Sequence, residues 1–139
     1  ANLTTTNIGL ESGSERMRKD VLIRPKYTND ELVRFCKLAK EYKTKVIFFI
    51  LMGLPGETLK DYFETIKTAR RAQPYTCFVS IFYPYLGTDL ATESLNLGLV
   101  HSTDLVASDY SKAERSRAIL DLDGFSSKRI RFEYIWYQI

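Results

Sequence analysis

The sequence predicts an α/β fold in which parallel strands alternate with helices, forming one side of a ligand-binding barrel. Three observations carry this expectation. One short unit, an apolar run followed by a glycine-bearing polar turn and then a helix, occurs three times. Its turns read Ile8-Gly9-Leu10-Glu11-Ser12-Gly13-Ser14-Glu15, Gly53-Leu54-Pro55-Gly56-Glu57-Thr58 and Tyr83-Pro84-Tyr85-Leu86-Gly87-Thr88. The stretch Val46–Met52 is apolar at every position, as in a parallel strand covered on both faces. The connections are long enough for right-handed crossovers. In such arrays the turns lie at the C-terminal ends of the strands, the rim where sites are built.

Each element has its own signal. Asn7–Leu10 reads as the end of a first strand, entered through Thr4-Thr5-Thr6. Ser14 to Leu22 predicts a short charged helix, stopped by Arg24-Pro25 because proline disfavours helix at the residue before it. Thr28-Asn29-Asp30-Glu31 is a capping box, and the helix behind it places Leu32, Phe35, Cys36, Ala39 and Tyr42 on one face. Val46–Met52 is the second strand. Thr58, with Asp61 three residues on, caps a second amphipathic helix whose stripe is Leu59, Tyr62, Phe63, Ile66 and Ala69. Cys77–Tyr83 is the third strand. Further on, Leu90–Leu97 reads as helix with Gly98 as its stop, Ser102–Ser108 as loop, and Tyr110–Leu122 mixes charge with apolar patches. Arg129–Tyr137 fits either an alternating strand or a helix capped by Ser126 or Ser127.

The totals exclude several classes. The 139 residues, 45% of them hydrophobic, suffice for one core, whereas a closed eightfold barrel takes about 250 residues. A net charge of +3 is too mild to argue for nucleic acid, and no nucleic-acid-reading motif accompanies it. Val46–Met52 is too short to span a bilayer and no signal segment opens the chain, so a cytoplasmic protein is the expectation. Cys36 and Cys77 are 41 residues apart with no neighbouring Cys or His, and no zinc or iron–sulfur spacing can be assembled from them. Both read as small buried hydrophobes, and His101, the single histidine, as a surface residue.

The turns carry the candidate chemistry. Glu11 and Ser12 sit where a strand ends; a carboxylate beside a hydroxyl suits a sugar cis-diol, and equally suits a helix cap. Arg24 has the donors for a bidentate carboxylate pair, or for solvent. The second turn is not a phosphate loop, since the Gly-x-x-x-x-Gly-Lys-Ser/Thr spacing is missing, and Glu57 stabilises the helix N-terminus instead. Phe82, Tyr83 and Tyr85 offer flat apolar faces for a planar ring, or for the core.

Taken in order, Glu-Ser-Gly-Ser-Glu-Arg, Arg24 before Tyr27-Thr28, Gly-Leu-Pro-Gly-Glu-Thr, and Ser80-Ile81-Phe82-Tyr83-Pro84-Tyr85-Leu86-Gly87-Thr88 resemble the latter half of a radical S-adenosylmethionine (SAM) domain. The branch most resembled is the one joined to a cobalamin-binding domain, which includes the anaerobic magnesium-protoporphyrin monomethyl ester oxidative cyclases. The resemblance implies a partial (β/α)6 TIM-like barrel. Residues 1–90 would supply its fourth to sixth strands as three parallel βα units, and residues 91–139 a mostly helical extension packed on it. It also implies a parent oxidoreductase in which a Cys-x-x-x-Cys-x-x-Cys loop holds a four-iron four-sulfur cluster and SAM yields a 5′-deoxyadenosyl radical. Cyclase-type chemistry on a tetrapyrrole, with cobalamin, would follow from the branch. By position, Glu11 and Ser12 match the ribose-contacting strand end, Arg24 the arginine that holds the SAM carboxylate, and Leu51, Phe82 and Tyr85 the apolar positions against adenine.

Three departures accompany the match. Phe49-Ile50-Leu51 is wholly apolar where many relatives carry a polar residue, Leu86 replaces a proline, and the cluster cysteines are absent. A fragment of this kind is expected to be inactive alone, to need the rest of its barrel, and to self-associate through an unpaired strand edge and an uncovered apolar face. The alternative is a non-catalytic α/β binding or interaction module whose turns are only turns.

Overall fold

The computed structural model describes residues 3–24, 27–102, 105 and 116–137. Three parallel strands form one open sheet in the order β1-β2-β3: β1 is Thr5–Glu11, β2 Lys45–Met52 and β3 Thr76–Ile81. The expected alternation of strands and helices is what forms. β1 pairs with β2 from Thr5↔Lys45 to Gly9↔Phe49, and then the register slips so that Glu11 opposes Ile50. Glu11 itself lies in the left-handed region with φ 57. An irregularity of this kind re-aims a side chain at a strand end.

Two compact units divide the chain: residues 1–50 with 59–79, and residues 51–58 with 80–139. The first holds β1, the helices α1 (Asn29–Glu41) and α2 (Leu59–Ala72), and the starts of β2 and β3. Thr28 and Glu31 form the expected capping box, the Glu31 carboxylate accepting from Thr28 N–H at 2.7 Å and the Thr28 hydroxyl from Glu31 N–H at 3.2 Å. The packed stripes differ from the simple periodic reading. On α1, Leu32, Val33, Cys36 and Ala39 are buried while Phe35 and Tyr42 are exposed. On α2 the buried face runs through Asp61, Tyr62, Thr65, Thr68, Ala69 and Ala72, and Phe63 is exposed. The face is rotated toward the threonines because they carry the polar contacts to the turn after β1.

The second strand also departs from expectation. Val46, Phe48, Ile50 and Met52 are buried, but Phe49 on the other face is 44% exposed. Phe49 stacks on Phe78, which is 54% exposed, with ring centroids 5.5 Å apart. Only one face of the sheet is sealed, so a continuous apolar run does not here mean burial on both sides. Asn7 and Gly9 are in register with Ile47 and Phe49 and share the open face.

Between β1 and α1 the expected helix is a single π-turn, Met17–Val21, in which Leu22 N–H reaches back to the Met17 carbonyl at 3.0 Å. The chain leaves it through Ile23, left-handed at φ 49, and Arg24 N–H bonds the Arg18 carbonyl at 2.8 Å.

The second unit contains the ends of β2 and β3, the turn between β2 and α2, and the helices α3 (Asp89–Asn96) and α4 (Ser127–Tyr137). Phe82 N–H continues the pairing beyond β3 by bonding the Met52 carbonyl at 2.7 Å. In the Gly-Leu-Pro-Gly-Glu turn the buried Glu57 carboxylate accepts from Gly53 N–H at 2.5 Å and Leu54 N–H at 3.2 Å. Gly53, at φ 81, leaves room for Ile130 of α4; a methyl group there would lie 3.1 Å from Ile130 Cδ1. Thr88 caps α3 through Ala91 N–H at 3.2 Å, and Gly98 stands past its end at φ 66. Of the two readings of Arg129–Tyr137 the helix is correct: Arg129 N–H bonds the Ser126 hydroxyl at 3.3 Å. Ile130 faces inward while Phe132 and Trp136 are exposed, so the alternation of apolar residues does not define one face. Of the loop expected over 102–108 only 102 and 105 are among the described residues, and of the stretch 110–122 only 116–122.

Candidate functional site

At the irregular end of β1 the first unit brings Glu11 and Arg24 together. Arg24 Nε donates to Glu11 Oε2 at 2.9 Å and Nη2 to Oε1, a bidentate pair. The Glu11 side chain is 17% exposed and that of Arg24 49%, so the carboxylate is largely covered and the guanidinium half open. The hydrogen bond and charge of Glu11 raise the Arg24 pKa above its ordinary value. Gly9, one residue pair back on the same face, has no side chain; a methyl group there would meet only Glu11 Oε1, at 3.7 Å.

Ser12 is fully buried, and its hydroxyl serves the turn. It lies 3.3 Å from Thr65 Oγ1 and accepts from Ser14 N–H at 3.2 Å. Gly13 N–H donates to Thr65 Oγ1 at 2.8 Å, Ser14 Oγ to Asp61 Oδ1 at 2.6 Å, and Arg16 Nη2 to Asp61 Oδ2 at 2.6 Å. Gly13 must be glycine for a different reason from a turn: a methyl group would lie 2.4 Å from Thr65 Cα. The sequence reading missed Arg18, which is 2% exposed and bonds Ser12 O, Tyr27 O and Asn29 Oδ1 at 2.8, 3.1 and 2.9 Å. Nothing in the sequence singles it out from the neighbouring charges Glu15, Arg16, Lys19 and Asp20.

The remaining candidates belong to the second unit. Leu51 is half-buried on the open-face side of β2. Phe82 and Tyr83 are buried, and Tyr85 is half-buried with its ring 5.2 Å from that of Tyr83. Cys36 is buried, and desolvation, with Cys77 nearby, pushes its thiol up to about 11, which disfavours the metal-binding thiolate. Among the described residues no group of three His, Cys, Asp or Glu could hold a metal, and no helix is long and apolar enough to cross a membrane.

Comparison with known proteins gives this arrangement its context. Over 87 residues the chain is 29% identical to the "tRNA-2-methylthio-N(6)-dimethylallyladenosine synthase" of Sulfurihydrogenibium sp. (strain YO3AOP1), covering 61% of this chain and 20% of that protein. It is 30% identical over 84 residues to the protein of the same name from Akkermansia muciniphila, covering 59% of this chain and 18% of that one. The chain thus spans about a fifth of the length of these relatives. Their name states a different product from that of the cyclase branch expected from the motifs, and neither relative bears out that branch. Residues 1–79, more than half of the chain and the whole Glu11–Arg24 region with it, match the family described as the radical SAM superfamily. The chain belongs to the radical SAM superfamily.

Proposed function

We propose that this chain supplies part of the SAM-binding wall of a radical SAM enzyme. Glu11 accepts from the ribose hydroxyls, Ser12 fixes the turn that presents Glu11, Arg24 holds the SAM carboxylate, and Leu51, Phe82 and Tyr85 lie against adenine. The observation that carries this reading is the bidentate Glu11–Arg24 pair at the irregular end of β1. Of the five N–H donors of an arginine, Arg24 spends two on Glu11, so donors remain for a second carboxylate. The Glu11 oxygens likewise keep acceptor capacity, and Gly9 leaves the sheet open beside them. This spare capacity of Glu11 and Arg24 is what the hydroxyls and carboxylate of SAM require.

When bound and reduced at an iron–sulfur cluster, SAM supplies hydrogen-atom abstraction from a substrate. This chain's part is to bind and orient. The pair presents an anion to hydroxyl donors and a cation to a carboxylate, each held by the two hydrogen bonds between them. The cluster would be held by cysteines other than those of residues 1–139, because Cys36 and Cys77 have neither the spacing nor, for Cys36, the exposure. In this reading the likeness to the two synthases bears on SAM binding, and it assigns no substrate to this chain.

The test is SAM affinity of the full-length protein with Glu11→Gln and with Arg24→Gln. Each is expected to weaken binding at least about tenfold, equivalent to ~1.4 kcal/mol. Unchanged affinity in both would return the chain to the alternative of a non-catalytic α/β module. The cobalamin-linked branch adds one demand, a corrinoid absorption band in the purified full-length protein, and its absence removes that branch.

A further inference from the structure

A guanidinium with 2% exposure is costly to bury, and Arg18 is not there for an ion pair. Its bonds go to the Ser12 carbonyl, the Tyr27 carbonyl and the Asn29 side-chain oxygen, and its guanidinium carbon stands 4.7 Å from the centre of the Tyr27 ring. Its own carbonyl receives Arg24 N–H at 2.8 Å. Asn29 extends the connection, its amide donating to the Gly13 carbonyl at 2.9 Å and its backbone N–H to Glu15 Oε1 at 2.7 Å.

Ser12 and Gly13 follow Glu11 in the chain, while Tyr27 lies just beyond Arg24. Arg18 therefore touches both arms of the Glu11–Arg24 pair and neither of its charged ends. We propose that Arg18 is a positioning residue that locks the turn carrying Glu11 to the segment carrying Arg24 and so sets the spacing of that pair for SAM. This rests on the reading of Glu11 and Arg24 as SAM contacts. An apolar side chain of similar length would fill the same volume but leave the Ser12 and Tyr27 carbonyls and Asn29 Oδ1 without this donor. Lysine would keep the charge but place it at one point, where Arg18 spans three acceptors. Desolvation lowers the Arg18 pKa, opposed by Tyr27 and Glu15, which agrees with a cation held inside by its geometry.

The test uses Arg18→Met and Arg18→Lys in the full-length protein, read by peptide-resolved amide hydrogen exchange and by SAM affinity. In Arg18→Met, exchange over residues 10–15 and 22–29 is expected to rise about tenfold or more while α4 is unchanged. SAM affinity is expected to fall about tenfold, and the loss to be less than additive with Glu11→Gln because both act on one pair. Arg18→Lys is expected to restore only part of either signal. Uniformly faster exchange throughout the protein would mean a merely structural role and would overturn the proposal, as would unchanged affinity. If Arg18→Met does not fold, Arg18→Lys decides alone, and wild-type behaviour of that variant refutes the claim. Failure of the underlying reading is separate: Glu11→Gln and Arg24→Gln would then bind SAM normally, and the positioning role would fall with it.

Discussion

Gly13→Ala tests how closely the turn after β1 is built onto α2. A methyl group on Gly13 would lie 2.4 Å from Thr65 Cα and 3.0 Å from both Thr65 N and Glu64 O, all backbone atoms. No rotamer change relieves such a contact, so the turn must move. Overpacking of this kind costs about 1–3 kcal/mol. Moving away also lengthens the 2.8 Å bond from Gly13 N–H to Thr65 Oγ1, a buried bond worth about 1 kcal/mol. The expected loss is about 2–4 kcal/mol, measured by urea unfolding of the full-length protein. Gly56→Ala is the internal control: Gly56 has φ 69 and nothing within 4 Å of an added methyl group, so only the left-handed backbone resists, at about 1–2 kcal/mol. A Gly13→Ala cost at or below that of Gly56→Ala would refute the close-approach argument.

Three further substitutions or measurements follow from single observations. Ile23 is 77% exposed at φ 49, a poor place for a β-branched residue, so Ile23→Asn should raise stability by about 1 kcal/mol in the same urea assay. Glu57→Ala leaves Gly53 N–H and Leu54 N–H without the carboxylate and should cost about 2–4 kcal/mol, whereas Glu57→Gln keeps an acceptor and should cost distinctly less; equal costs would contradict the assigned role. With its thiol raised from 9.0 to about 11, Cys36 stays neutral in the folded protein where the unfolded chain begins to ionise. Its contribution to stability is therefore present below pH 9 and lost as pH rises from 9 toward 11, and at pH 8.5 its alkylation should be slowed roughly a hundredfold relative to the unfolded chain.

Much of the fold was legible because local chemistry and periodicity agreed. The Thr28–Glu31 box, the apolar second strand and the Gly98 stop each need only their own few residues to be recognised. What was missed depends on partners distant in sequence. Thr65 and Thr68 are buried because the turn 52 residues earlier offers Gly13 to them, a pairing no helical stripe announces. The open face of β2 escaped notice because a run of apolar residues shows what a strand can bury, not what covers it. In the site, Glu11 was visible from its place at a strand end, but its pairing with Arg24 required the register slip, the π-turn and the left-handed Ile23 together. Arg18 was hidden among neighbouring charges, and only tertiary structure turns it inward.

The most direct measurement is a crystal structure of the full-length protein with SAM bound. The account predicts a ribose hydroxyl within about 3 Å of the Glu11 carboxylate, the SAM carboxylate on Arg24 at similar range, and adenine against Leu51, Phe82 and Tyr85. SAM seated away from the end of β1, with the Glu11–Arg24 pair touching no part of it, would contradict the account.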